Sequence, residues 1–161
     1  MTQTADEMIH VIDYDAGNLG SIINMFRRIG VSAKLTRDPK DIEDAQKIVL
    51  PGVGAFDQCV KNLDSYGFRD VLTSRILQDR IPILGICVGF QMMSESSEEG
   101  SLRGLGWIKG TTKDMRKLAK DSPKLKFPHI GWNYIDMKHE HPVLKNLPDD
   151  QRFYFVHTYQ V

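Results

Sequence analysis

The two cysteines of this sequence are its best candidates for nucleophilic chemistry, and they lie in different contexts. Cys87 stands between two glycines in ILGICVGFQMM, directly after an apolar run, whereas Cys59 lies on an apolar stripe with helical spacing. The pattern Gly-x-Cys-x-Gly over residues 85–89 is a cysteine version of the nucleophile elbow. In such an elbow a sharp turn strains the backbone at the nucleophile and excludes side chains from both flanking positions. The motif indicates a nucleophilic thiol at Cys87, although by itself it also fits a small buried hydrophobe; Cys59 is predicted to be a core residue.

Neighbouring segments supply what such a nucleophile needs. The amide of Val88, directly after the cysteine, is suited to donate to an oxyanion, and the glycine-rich loop in LPGVGAF (50–56) offers a second donor. Gln91 follows Cys87 by four residues, so both side chains can face one pocket. SSEEG then supplies carboxylates just beyond.

The elements that must position these residues are strands alternating with helices. MIHVIDYD, VSAKLT, KIVLPGVG and IPILGI are predicted strands, and helical stripes begin near Leu19, Phe56 and Phe68. Strands that are nearly all apolar and alternate with helices predict a parallel sheet covered on both faces. Asp38 and Pro39 are typical of the start of a short helix, and a further helix is predicted to begin at the cysteine elbow.

After Gly100 the pattern changes. GLGWIKGTT, FPHIGWNYIDM and RFYFVHTYQV are predicted strands joined by loops, with a helical turn at PVLKNL. This half is predicted to be mixed or antiparallel sheet. The basic stretch 113–126 is interpreted as a solvated loop, and HEH at 139–141 as a loop without a third metal ligand nearby.

Composition limits the class of protein. A length of 161 residues fits one compact domain over 8–161, with the polar stretch 1–7 as a disordered leader. Twenty-one basic and twenty-one acidic residues give a formal net charge of zero, which offers no electrostatic footprint for nucleic acid or an anionic membrane. No apolar run approaches the length of a membrane span. Two cysteines and the absence of a secretory signal favour a cytoplasmic location. No metal and no cofactor is predicted.

Seven motifs in order carry a family resemblance. GNLGSI, LPGVGAF, LGICVGFQMM, SEEG, GLGWI, PHIGWN and YFVHTY together resemble the class I glutamine amidotransferases, over about Met8 to Val161. Within that family the chain most resembles the glutaminase subunits of imidazole glycerol phosphate synthase, in histidine biosynthesis. The resemblance implies an α/β fold with a mostly parallel central sheet flanked by helices and antiparallel strands in the C-terminal half. It also implies a heterodimer with a (β/α)8-barrel cyclase that receives ammonia. A paralogous subunit that supplies ammonia for surface amino-sugar biosynthesis is the alternative.

The resemblance assigns roles to matched positions. Cys87 would attack the carboxamide of glutamine, form a glutamyl thioester and release ammonia. The amides of Val53 and Val88 would hold the oxyanion, after a reorientation of the loop that carries Val53. Residues implied to bind glutamine or line its pocket are Gly52, Gln91, Glu99, His157, Thr158 and Tyr159, with Glu98 competing for the role of Glu99. Asn18 and Tyr154 are implied to face the partner subunit.

One part of the family pattern is missing. The family completes its triad with a His-x-Glu pair in a QFHPEKS-like segment after the last strands, and these 161 residues contain no such pair in that context. Because departing ammonia needs a general acid and the thioester needs a base, we expect this chain alone to be inactive. Relative to the family it is C-terminally truncated, so we expect an exposed edge, exposed apolar surface and poor stability without a partner. A catalytically silent docking subunit is a further hypothesis. A hydrolase of the α/β-hydrolase type is another hypothesis, although the lack of a downstream acid–histidine pair argues against it.

Overall fold

The strands predicted in the first half of the chain are present and lie side by side. The computed structural model describes residues 8–119, 125–148 and 150–161. They form two compact units, one made of the described residues up to Lys113 together with Val161, the other of Asp114–Gln160. The predicted leader, 1–7, lies outside the described residues. Among the described helices, none combines the length and apolar character that a membrane crossing requires.

Strands and helices alternate in the first unit. In chain order they are β1 Ile9–Ile12, α1 Leu19–Arg28, β2 Ala33–Thr36, a 3-10 turn Pro39–Ile42, β3 Lys47–Leu50, α2 Phe56–Ser65, α3 Phe68–Leu77, β4 Ile83–Gly85, α4 Val88–Gln91, β5 Ser94–Ser97 and β6 Ile108–Asp114. Strands β1 to β4 form one sheet in the order β2-β1-β3-β4, and every pairing is parallel. The predicted parallel sheet is therefore confirmed. Since parallel strands end at one edge, the loops 13–18 and 51–55 after β1 and β3 begin side by side.

One face of this sheet carries the core. Ile12, Ile48 and Leu50 join a single buried cluster with side chains of α2 and α3. The members on α2 recur at i, i+3, i+4 and i+7, which is the spacing of a helix with one buried stripe. They are Phe56, Cys59, Val60 and Leu63. Burying an apolar side chain of this size contributes about 1.5–3 kcal/mol, so this face supplies most of the unit's hydrophobic stabilisation.

The opposite face is covered less completely than predicted. Val11 and Val49 are buried at its centre, but Leu84 of β4, in register with Val49, is 51% exposed. Helix α1 contributes no fully buried side chain. The prediction of a buried strand at IPILGI is therefore wrong, because β4 is an edge strand among the described residues. An apolar run does not distinguish an edge strand with one uncovered face from a central strand.

The helix at the cysteine elbow is short. It ends at Gln91, and the polar strand β5 follows, parallel to β6. The Ser94 hydroxyl hydrogen-bonds the Thr112 hydroxyl at 3.0 Å, and the Ser96 hydroxyl the Thr111 hydroxyl at 2.8 Å. Because β5 has no apolar alternation, the sequence analysis missed it. The predicted short helix at Asp38 is a single 3-10 turn, capped as expected by the Asp38 carboxylate.

The second unit is built around an antiparallel hairpin. It contains α5 Met115–Leu118, β7 His129–Tyr134, β8 Arg152–His157 and the two-residue β9 Tyr159–Gln160. Strands β7 and β8 pair antiparallel, as predicted. The loop predicted over 113–126 is wrong at its start, because the Asp114 carboxylate caps α5 by accepting from the Arg116 amide at 2.9 Å. Residues 120–124 of that stretch lie outside the described residues. PVLKNL forms a series of turns.

Candidate active site

Cys87 occupies a sharp junction between β4 and α4. Its backbone has φ 54° and ψ −119°, a conformation that glycine adopts freely and an L-residue adopts only with strain. The junction is fixed by the Ile86 amide, which donates to the Leu50 carbonyl at 3.0 Å, and by the Phe90 amide, which donates to the Cys87 carbonyl at 3.0 Å. Cys87 is exposed, so the alternative of a buried core thiol is wrong. Helix α4 has only four residues, and the helix dipole behind the thiol is correspondingly small.

Both glycines of the elbow are required by close backbone packing. A Cβ on Gly85 would lie 2.5 Å from the Phe90 Cα, and a Cβ on Gly89 would overlap the Leu50 carbonyl oxygen. These neighbours are backbone atoms of a helix and a strand, which cannot move aside as a flexible side chain can. The steric explanation of the Gly-x-Cys-x-Gly pattern is therefore confirmed.

The loop 51–55 packs directly on the elbow. A Cβ on Gly52 would overlap the Gly89 amide nitrogen and approach the Val88 carbonyl carbon at 2.9 Å. Within the described part of the chain, the amides of Val53 and Val88 donate no hydrogen bond. The two predicted oxyanion donors therefore belong to segments in direct contact, and both amides are available to a ligand.

Two buried side chains lie behind this loop. Cys59 is 1% exposed, which confirms the core prediction, and its thiol donates to the Val53 carbonyl at 3.6 Å. Tyr14 is fully buried and donates its hydroxyl to the Pro51 carbonyl. Burial raises the pKa of both the Cys59 thiol and the Tyr14 hydroxyl. Tyr14 was not predicted from the sequence; the available signal was a phenol just after a buried strand, since a buried Tyr hydroxyl usually finds a partner.

Glu99 and Glu98 face different partners. The Glu99 carboxylate accepts from the Phe56 amide at 3.2 Å, at the start of α2, where Ala55 provides no side-chain cap. The Glu98 carboxylate instead accepts from the Lys113 ammonium at 3.4 Å. Glu99 therefore lies at the end of the 51–55 loop, which favours it over Glu98 as the residue facing the candidate site.

The turn after Glu99 is tied to the same helix start. The Asp57 carboxylate accepts from the amides of Ser101 and Leu102, each at 3.0 Å. These amides lower the pKa of Asp57. The interaction holds the SEEG segment against the first turn of α2.

Gln91 and Asn18 lie at helix ends. Gln91 is 8% exposed, so it is not a surface helix residue. Its carbonyl accepts from the Ser94 hydroxyl at 2.8 Å. Asn18 is exposed and caps α1, its side-chain oxygen accepting from the Ser21 amide at 3.3 Å. Their predicted contacts with glutamine and with a partner stay predictions.

The HTY segment lies in the second unit, where its hydrogen bonds are local. The Nδ1 of His157 donates to the Tyr159 carbonyl at 3.0 Å, since a carbonyl can only accept. Nε2 of a neutral His157 then accepts from Nδ1 of His129 at 3.2 Å. The Thr158 carbonyl accepts from the Met115 amide at 3.0 Å. These contacts suit a structural histidine, and the glutamine-binding role of His157, Thr158 and Tyr159 stays a prediction.

Tyr154 belongs to an exposed apolar surface on the hairpin. Its ring is 54% exposed and meets the Trp132 ring edge-on, with centroids 5.6 Å apart. Ile130 pairs with Val156 on the same face, and both are exposed. We call this surface the hairpin face; its members are Ile130, Trp132, Tyr134, Tyr154 and Val156. A contiguous exposed surface of this kind is typical of a protein interaction site.

Comparison with known proteins defines the class. The family model described as "Glutamine amidotransferase class-I" matches residues 10–161. This chain belongs to the class I glutamine amidotransferase family. "Imidazole glycerol phosphate synthase subunit HisH 2" of Methanococcus maripaludis is 46% identical over 154 residues, which are 96% of this chain and 74% of the relative. The protein of the same name in Pseudomonas aeruginosa is 45% identical, over 94% of this chain and 73% of its own length.

Solved structures agree on the fold. A crystal structure of a glutamine amidotransferase aligns with a TM-score of 0.56 at 20% identity, over 66% of this chain and 56% of its own. A protein from Thermoplasma acidophilum, described as a putative GMP synthase component, aligns with a TM-score of 0.57 at 18% identity, over 98% of this chain and 67% of its own. At these identities the likeness supports the fold alone.

Proposed function

We propose that this chain is the glutaminase subunit of an imidazole glycerol phosphate synthase, which hydrolyses glutamine and passes ammonia to a second subunit. The observation that carries the proposal is an exposed thiol held in a strained elbow against a loop with an available backbone amide. The relatives at 45–46% identity, named as subunits of that synthase, support the substrate and the pathway. The reaction suits a reducing cytoplasm, in which Cys87 stays a free thiol.

The chemistry follows from the elbow. The Cys87 thiolate attacks the carboxamide carbon of glutamine, and the carbonyl oxygen becomes an oxyanion facing the amides of Val53 and Val88. The carbon–nitrogen bond breaks as the leaving nitrogen takes the proton that the thiol gave up, which releases ammonia and leaves a glutamyl thioester. Water then attacks the thioester, regenerating the thiol and releasing glutamate. Removing one oxyanion donor typically lowers kcat by about a hundredfold to a thousandfold.

Recognition of the substrate is assigned to residues around the elbow. Gln91 and Glu99 would bind the amino-acid end of glutamine, and Gly52 would allow close approach of the loop backbone. The Glu99 carboxylate supports this assignment because it lies where the 51–55 loop meets α2. The glutamine-binding role of His157, Thr158 and Tyr159 rests on the family resemblance alone.

The partner would be a (β/α)8-barrel cyclase bound as a heterodimer. The hairpin face supports this, since Trp132 and Tyr154 present exposed aromatic rings of the kind enriched at protein interfaces. Asn18 would contribute from the start of α1. Trp132→Ala should weaken capture of the cyclase by about tenfold or more, whereas Met137→Ala, at another exposed apolar residue outside the hairpin face, should leave it unchanged. If the cyclase binds both variants equally well, the hairpin face is not its binding surface.

A silent docking subunit is the second candidate function. Such a subunit would bind glutamine or its partner without hydrolysing glutamine. The exposed elbow thiol argues against it, since a docking subunit has no need of one. A test must therefore separate attack by Cys87 from turnover.

Alkylation with diazo-oxo-L-norleucine, the diazoketone analogue of glutamine, makes that separation. The thiol proton passes to the diazo carbon, the sulfur bonds to that carbon and dinitrogen leaves, so no other acid or base is required. We expect one adduct per chain at Cys87, suppressed by L-glutamine, and no adduct in Cys87→Ser. An unlabelled chain, or an adduct at Cys59 instead, would refute the proposed nucleophile and favour the docking role.

A further inference from the structure

Two buried side chains hold the candidate oxyanion loop from behind. The Tyr14 hydroxyl donates to the Pro51 carbonyl, and the Cys59 thiol donates to the Val53 carbonyl at 3.6 Å. Both side chains are almost completely buried. A buried donor that finds a backbone carbonyl is costly to leave unpaired, so each contact resists a change of the loop.

The two restrained carbonyls belong to alternate peptide groups. The Pro51 carbonyl fixes the plane of the Pro51–Gly52 peptide, and the Val53 carbonyl fixes that of the Val53–Gly54 peptide. Between them lies the Gly52–Val53 peptide, which carries the Val53 amide. Among the described residues, neither the carbonyl of Gly52 nor the amide of Val53 makes a hydrogen bond. A single peptide plane can rotate between two fixed neighbours through the dihedral angles on either side of it.

We propose that Tyr14 and Cys59 are positioning residues, which fix the two neighbouring peptides so that the Gly52–Val53 peptide alone turns to aim its amide at the oxyanion. This inference rests on the proposed function, since it specifies how the second oxyanion donor is oriented. Glu99 restrains the C-terminal end of the loop, because its carboxylate accepts a hydrogen bond from the Phe56 amide. Rotation is thereby confined to the one peptide that the chemistry needs.

Simple core packing is the competing explanation, and matched variants separate the two. Cys59→Ala and Cys59→Ser have nearly the same volume and differ by one hydroxyl donor. Tyr14→Phe keeps the ring and removes only the hydroxyl. If the pair acts through its hydrogen bonds, serine retains function and alanine loses it. If the pair acts only through packing, alanine and serine behave alike.

The assay is saturation kinetics of Cys87 alkylation by diazo-oxo-L-norleucine in the full chain. The thiolate adds first to the ketone, whose oxygen becomes an oxyanion in the place of the carboxamide oxygen, and the sulfur then moves to the protonated diazo carbon as dinitrogen leaves and the ketone re-forms. The limiting rate therefore reports oxyanion donation, and the half-saturating concentration reports recognition. We expect the limiting rate to fall about tenfold in Tyr14→Phe and about threefold in Cys59→Ala, and to recover in Cys59→Ser. The half-saturating concentration should stay unchanged. Equal limiting rates in all four proteins, or equal loss in the alanine and serine variants, would overturn the proposal.

A second measurement does not depend on alkylation of the chain. Carbon-13 labelling of Val53 and Pro51 allows their carbonyl resonances to be followed in the 18.3 kDa chain. Cys59→Ala should shift the Val53 resonance and Cys59→Ser should restore it, with Pro51 little changed. An unmoved Val53 carbonyl refutes the inference. Wild-type chain that resists alkylation refutes the proposed function instead, so the two failures are distinguishable.

Discussion

Replacing Cys87 with glycine should make the chain more stable while removing its reactivity. Cys87 is held at φ 54° and ψ −119°, where an L-residue is strained by about 1–3 kcal/mol and glycine is not. Glycine also makes the unfolded chain more flexible, which offsets about 0.5–1 kcal/mol of the gain. The exposed side chain contributes little packing. The expected net effect is a rise of about 1 kcal/mol in the free energy of unfolding.

Cys87→Ala is the matched control. Alanine removes the thiol but keeps a Cβ at the same positive φ, so the strain remains and the free energy of unfolding should not rise. Both variants should resist alkylation by diazo-oxo-L-norleucine equally. The two variants should therefore lose reactivity to the same extent while differing in their free energy of unfolding.

Urea denaturation of the three proteins measures the difference. An increase of about 1 kcal/mol corresponds to a rise of about 2–4 °C in Tm for a chain of this size. The slope of unfolding free energy against urea should be the same in all three, because the surface exposed on unfolding is unchanged. If glycine and alanine variants unfold at the same urea concentration, Cys87 is not strained and the elbow argument fails.

Three further predictions concern the surroundings of the elbow. Gly89→Ala, whose Cβ would overlap a backbone carbonyl, should lower the free energy of unfolding by about 3 kcal/mol, whereas Gly20→Ala, with open space around it in α1, should raise it slightly in the same urea titration. Glu99→Gln should raise the half-saturating concentration of the diazoketone several-fold and Glu98→Gln should not; the reverse order would assign recognition to Glu98. The amide of Ser101 lowers the pKa of Asp57 below its ordinary 3.8, so its stabilisation is present above that value and is lost as pH falls through the folded pKa. Asp57→Asn should therefore lose less unfolding free energy than the wild-type chain as the pH falls below about 4. Equal losses for the two proteins in urea titrations would contradict this.

The predictable parts of the fold are those where a single physical pattern dominates. Helix α2 is an example, because its apolar residues recur at the spacing of one buried stripe and all of them are buried. The elbow is another, since backbone crowding at Gly85 and Gly89 forces residue types that are visible in sequence. In both cases a local rule and the tertiary structure agree.

The parts that sequence reasoning missed depend on contacts between distant segments. Strand β5 is held by hydrogen bonds between its serine hydroxyls and threonine hydroxyls of β6. Its sequence has no apolar alternation that would predict a strand. Leu84 belongs to an apolar run typical of a core strand, yet among the described residues it lies on an edge strand and is half exposed. Tyr14 gains its contact with Pro51 only because β1 and β3 end side by side.

At the elbow, the residue type of Cys87 conflicts with the conformation of its own backbone. At Gly52, Gly85 and Gly89 packing alone explains the glycine, so these positions would look the same in a protein without activity. At Cys87 the backbone conformation favours glycine, but a cysteine is present and its side chain is exposed. Neither core packing nor local stability accounts for a thiol in that position, whereas attack on a carbonyl beside two available amides does. Cys59 shows the opposite context for a thiol, because it is buried on the apolar stripe of a helix.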